Sequence, residues 1–166
     1  SYLESLAMQA EIKPFTEQHL NRISQLINKT NQFNLTTERF NIQAVKNFSV
    51  NNEYIDLYGH LKDKFGDNGL VSTIVAETKS GEAHIILWLM SCRVFKRELE
   101  LAMFDQLVEQ CQKENITKIL GKYIPSNKNA MVEKLYEELL IDPAQSQPTQ
   151  HPRIFSSEEP LPEVKV

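Results

Sequence analysis

Residues 87–100 read LWLMSCRVFKRELE. The apolar run closing at Met90 has the composition of a buried strand, and Ser91, Cys92 and Arg93 interrupt it. Beyond them Phe95, Leu99, Met103, Leu107 and Cys111 recur at four-residue steps, with Phe104 and Val108 widening the stripe. This periodicity predicts a long amphipathic helix to about Asn115. A strand that hands the chain directly to a helix N-terminus leaves backbone N–H groups unpaired, a ready site for an anion.

Working outward, Leu70 to Glu77 and Ala83 to Met90 are strands joined by Lys79-Ser80-Gly81-Glu82, a hairpin by length and composition. Before them, Met8, Ala10, Ile12 and Pro14-Phe15 alternate as a short strand. Thr16 is a candidate cap for a helix buried through Leu20, Ile23, Leu26 and Ile27. Thr30 to Asn34 reads as a loop, Thr36 or Thr37 as the cap of a second helix to about Phe48, Tyr54 to Tyr58 as a strand, and Gly59 to Gly69 as a turn-rich connection. After the long helix, Ile116 to Tyr123 is the next strand. Ser126 or Asn127 then caps a helix through Leu139. Five of the seven prolines, at 143, 148, 152, 160 and 162, fall in the last segment, which leaves room for one edge strand at 153–157. The expected division is a domain over 1–142 and a Pro-rich segment over 143–166.

With 166 residues, 41% hydrophobic and 24% charged, the chain suits one domain with a real core. Its net charge of -4, without a basic stripe, speaks against nucleic acid as the main partner. No apolar run reaches the length of a membrane span and no signal peptide is recognisable, so a cytoplasmic location without membrane insertion is expected. Cys92 and Cys111 share no metal-ligand spacing with one another or with the dispersed histidines, so no metal is expected in this domain.

The order strand, two helices, three antiparallel strands, helix, strand, helix resembles the GNAT acyltransferase fold: an α/β (α+β) architecture with a mixed, mainly antiparallel sheet flanked by helices on both faces. Five stretches carry a closer resemblance, to the C-terminal domain of FkbH-like proteins. These are residues 30–37 (TNQFNLTT), 65–71 (FGDNGLV), Met90 to Val94 with Arg97 and Glu100, Gly121-Lys122-Tyr123, and Lys128-Asn129. The similarity runs from Tyr2 to about Ile141.

That resemblance implies an upstream HAD-type domain that takes a glyceryl unit from a phosphorylated donor and loads it onto an acyl carrier protein for polyketide or related biosynthesis. The chain contains no Asp-x-Asp-x-Thr segment of its own. CoA or a phosphopantetheine thioester is the implied cofactor, with Arg93, Val94, Lys96, Arg97 and Asn129 as its contacts. Where GNAT enzymes have glycines in this loop, the chain has Lys96 and Glu98, so weak binding is expected. Tyr136, seven residues after Asn129, matches the tyrosine that protonates a departing thiolate; it also lies on an apolar stripe and is equally suited to packing.

Cys92 sits beside a cation at an expected helix start, a setting that favours thiolate and makes it a candidate nucleophile, the competing reading being an inert core residue. Cys111 reads as core. Asn31, Gln32 and Asn34 form an amide-rich loop suited to hydrogen-bonding an acyl group or a pantetheine arm. Two roles emerge, a catalytic acyltransferase domain and a non-catalytic module that binds the carrier protein or substrate. A small-molecule N-acetyltransferase is the reading outside the family.

Overall fold

The computed structural model describes residues 9–94 and 98–140. Five strands form one sheet in chain order: β1 (Gln9–Lys13), β2 (Tyr54–Asp63), β3 (Gly66–Lys79), β4 (Glu82–Met90) and β5 (Lys118–Leu120). Neighbours from β1 to β4 are antiparallel, whereas β5 runs parallel to β4 through three residue pairs, Glu82 with Lys118 to His84 with Leu120. A parallel join requires a crossover. It is supplied by helix α3 (Leu99–Lys113), which follows helices α1 (Leu20–Lys29) and α2 (Ile42–Val50) and precedes the short α4 (Leu135–Leu140).

Strand alternation divides the core between the two faces of the sheet. Leu87 and Leu89 of β4 pack with Leu20, Ile23, Leu26 and Ile27 of α1 and with Val45 and Phe48 of α2. Trp88 and Met90 point the other way, into a cluster with Leu99, Met103, Phe104, Leu107, Val108 and Cys111 of α3 and Leu135, Tyr136 and Leu139 of α4. The stripe expected on α1 is buried, as is that on α3 from Leu99 onward; Phe95 lies outside the described residues. The hairpin at Lys79–Glu82 is also present, with Ser80 and Gly81 both at positive φ as a tight two-residue turn requires.

Several boundaries differ from expectation. Residues 59–69 are not mainly a turn: β2 continues to Asp63 and β3 starts at Gly66. Gly59 is a strand residue, paired with Ile12 and Ser72, and α3 crosses so closely there that a Cβ would lie 2.8 Å from Met103 Sδ. Helix α2 starts at Ile42 rather than after Thr36 or Thr37, capped by Asn41 Oδ1, which accepts from Ala44 N at 2.9 Å. The segment expected to carry one helix from Ser126 to Leu139 makes a 3-10 turn at Ala130–Val132 before α4. The strand expected over 116–123 retains three residues in the sheet. The expected edge strand at 153–157 lies outside the described residues.

The junction after β4 also departs from the expected form. The strand ends at Met90, a single 3-10 turn spans Cys92–Val94, and α3 begins at Leu99 after Glu98, which adopts a left-handed conformation at φ 65°. Strand and helix are therefore not joined directly.

Candidate functional site

Parallel strands that pair over three residues and then part would leave the outer edge of β4 unpaired. In this chain residues 33–35 fill that gap. Leu35 N–H donates to Trp88 O at 3.0 Å, Met90 N–H to Phe33 O at 3.0 Å, and Ile124 N–H to Leu35 O at 2.8 Å. Asn34 bridges to Leu89 in the antiparallel sense. Three residues of the loop after α1 thus act as an extra strand between β4 and the segment following β5.

Asn129 fastens this insert. Its side chain is fully buried. Nδ2 donates to Asn34 O at 2.8 Å and to Ile124 O at 2.9 Å. Oδ1 accepts from Ser126 N–H at 2.7 Å and from the Tyr123 hydroxyl at 3.2 Å. All four bonding positions of the amide are thereby used. Asn34 holds the loop from the other side, donating to Thr30 O at 3.1 Å and accepting from Thr37 N–H at 3.0 Å.

Tyr136 is fully buried beneath the same segment, its ring 5.9 Å from that of Trp88. Its hydroxyl accepts from Lys122 N–H at 3.1 Å and donates to Lys122 O at 2.9 Å. Burial pushes the phenol well above the usual tyrosine range. In this geometry the hydroxyl proton is directed at a backbone carbonyl. Tyr136→Phe is expected to cost about 2 kcal/mol of stability, because both Lys122 groups lose a buried partner; urea midpoints of the two proteins measure it, and an unchanged midpoint would refute the anchoring role.

An open pocket of about 520 Å³ lies beside the insert, where the end of α1 and its following loop meet the end of β4. It gathers Arg22, Lys29, Thr30, Asn31, Gln32, Ser91, Cys92 and Lys128. The expected loop amides Asn31 and Gln32 therefore share a site with Cys92, while Asn34, Asn129 and Tyr136 are buried in the framework next to it. Cys92 is exposed, not packed in the core, because its short turn leaves the sheet before α3 begins. Cys111 is buried among the side chains of α3 and β4, and burial pushes its thiol up to about 12.

Of the residues expected to hold a cofactor, Val94 is buried and its N–H donates to Ser91 O at 3.1 Å. Arg93 contributes its backbone to the 3-10 turn. Lys96 and Arg97 lie outside the described residues. The start of α3 is acidic: Glu98 precedes it and Glu100 occupies its first turn. Burial raises the Glu100 carboxyl above its usual range, with Glu98 and Glu138 adding to the effect, and its Oε2 lacks a hydrogen-bond partner. Among the described residues no group of three or more His, Cys, Asp and Glu side chains could hold a metal. Nor is any described helix long and apolar enough to cross a membrane.

Arg22 and Lys29 of the pocket had no distinguishing sequence signal. On α1 they look like ordinary solvent-facing cations, and their convergence with Lys128 exists only once two separated segments are brought together.

The architecture places the chain among known structures. The fold is that of the GNAT acetyltransferases. A GNAT-family acetyltransferase from Staphylococcus aureus Mu50 superposes with a TM-score of 0.59 at 10% identity, covering 84% of this chain and 90% of that one. The ribosomal-protein-S18-alanine N-acetyltransferase of Escherichia coli gives 0.59 at 12% identity over 79% and 76%. The PaiA N-acetyltransferase of Thermoplasma acidophilum, solved in complex with coenzyme A, gives 0.57 at 11% identity over 78% and 88%. No protein-family description matches the chain, and neither does any curated protein. At these identities the likeness is one of fold.

Proposed function

We propose that this GNAT-fold domain belongs to an FkbH-like acyl-loading protein and serves transfer of an acyl, glyceryl-type group to the thiol of an acyl carrier protein. Its part is to bind and position the acyl-bearing arm, not to catalyse transfer from CoA. The observation that carries this reading is the open pocket in which Asn31, Gln32 and Cys92 meet, because the edge of β4, the other way in for an arm, is occupied. An extended arm rich in amides binds most readily by adding to a free strand edge, and Trp88 O and Met90 N are already paired with residues 33–35. The second requirement, a cradle for a diphosphate, fits no better, since Glu98 and Glu100 set negative charge at the start of α3 where an anion would need the opposite. CoA is therefore expected to bind weakly, and no step is routed through it. The open pocket with Asn31, Gln32, Ser91 and Cys92 is where an acyl end would lie.

Calorimetric titration with CoA and with a holo acyl carrier protein tests the reading. The expected CoA dissociation constant is about 100 μM or weaker, roughly -5.5 kcal/mol, with tighter binding of the holo carrier. Low-micromolar CoA would overturn it in favour of a small-molecule N-acetyltransferase. The coding sequence upstream of Ser1 is a second check, an HAD-type domain being expected there.

The exposed thiol of Cys92 favours a second reading, in which the domain is itself catalytic through a covalent acyl-enzyme. The Cys92 thiolate would attack the carbonyl of an acyl thioester, expel the donor thiolate and later be displaced by the carrier thiol. Incubation with an acyl thioester should give a mass adduct that is absent in Cys92→Ser. An adduct that persists in that variant, or none at all, would remove the covalent step.

A further inference from the structure

We propose that the pocket between α1 and the end of β4 is a binding site for a phosphate monoester, held by Arg22, Lys29 and Lys128. Among the described residues, the lining contains these three cations and no carboxylate. Neither Lys29 nor Lys128 is paired with an acidic side chain among the described residues. Arg22 directs Nη2 to Leu70 O at 3.2 Å, which fixes the guanidinium while leaving its other N–H groups free to donate.

A helix C-terminus ordinarily repels anions, because its last carbonyls carry partial negative charge. Here two of those carbonyls, and that of the residue after the helix, are already engaged. Thr30 Oγ1 donates to Leu26 O at 2.7 Å, and Arg39 donates to Ile27 O and, at 2.7 Å, to Thr30 O. Arg39 also donates to Asn31 Oδ1, so the part of the Asn31 amide left to offer is its NH₂. The site is consequently rich in donors and poor in acceptors. Three positive charges match a phosphate dianion better than a single carboxylate. The proposal rests on the preceding reading only in taking this pocket as the acyl-facing one, so that the phosphate would anchor a ligand whose other end approaches Cys92.

The test titrates the full chain with methyl phosphate and with acetate, following amide shifts of residues 29–32 and 91–92 by NMR. Methyl phosphate is expected to bind at least about tenfold more tightly than acetate, the equivalent of one good ionic contact. The doubly substituted Lys29→Gln, Lys128→Gln protein should lose that binding by about tenfold or more, whereas Lys46→Gln on α2, which removes charge elsewhere, should not. Both lysines are exposed, so folding is preserved and circular dichroism verifies it. Equal affinity for the two anions, no binding, or an equal loss in Lys46→Gln would overturn the proposal. Binding of a holo carrier without binding of methyl phosphate would overturn this inference alone; low-micromolar CoA with methyl phosphate bound in the pocket would overturn the preceding reading alone.

Discussion

Asn129→Ala is expected to lower the unfolding free energy by about 3–4 kcal/mol, since four buried or partly buried groups, Asn34 O, Ile124 O, Ser126 N–H and the Tyr123 hydroxyl, lose their partner at once. The effect is local as well as global. With the amide gone, residues 33–35 keep their bonds to Trp88, Met90 and Ile124 but lose the clamp that holds them in the gap. Hydrogen exchange should therefore accelerate at Leu35, Met90 and Ile124 more than at Thr73 or Val75, which lie in the paired interior of β3. Equilibrium unfolding in urea gives the first quantity and amide exchange the second. Uniform acceleration across the sheet would show that Asn129 contributes only to overall stability. Greater CoA affinity in this variant would show that the insert is what keeps an arm from the edge of β4.

The second large effect depends on pH. Asp56 on β2 accepts from Phe15 N–H at 2.7 Å, tying the chain after β1 back to the sheet. Burial raises its carboxyl from 3.8 to about 6, against the opposing pull of that hydrogen bond. The folded state therefore holds the proton more tightly than the unfolded one. Its contribution is fully present below the unfolded pKa and is lost as pH rises through about 6, so Asp56 makes the fold less stable at neutral pH than at pH 4. The difference approaches about 3 kcal/mol. Asp56→Asn keeps an oxygen for Phe15 N–H and does not titrate. The unfolding free energy of the variant minus that of the native chain should increase between pH 4 and 7 by up to about that amount and then level off. A difference independent of pH would refute the assignment.

Much of the architecture was legible because it rests on local periodicity. Four-residue steps marked α3, the spacing of Leu20, Ile23, Leu26 and Ile27 marked α1, and Ser80-Gly81 marked the hairpin, each from forces acting within a few turns of chain. Boundaries were less legible where tertiary contacts override propensity. Gly59 looks like a turn residue until Ile12 and Ser72 are paired with it, and Thr36 and Thr37 look like caps until residues 33–35 are required in the sheet.

The candidate site divided in the same way. Asn31, Gln32 and Cys92 could be named from composition and position, and they do meet in one pocket, whereas Asn34 is buried beside it. Asn129 and Tyr136 could be named too, but no spacing reveals that their polar atoms are spent inside the fold, Tyr136 on the Lys122 backbone and Asn129 on its own loop and on the remote Asn34 O. Sequence alone determined the succession of amphipathic elements, because a side chain's face follows from the 3.6- and 2-residue periods of helix and strand. Only the tertiary structure decided that a three-residue insert closes the edge of β4 and that Arg22, Lys29 and Lys128 converge. Hydrogen bonding between remote segments and the meeting of like charges depend on how separated pieces of chain are brought together, and no local pattern encodes that.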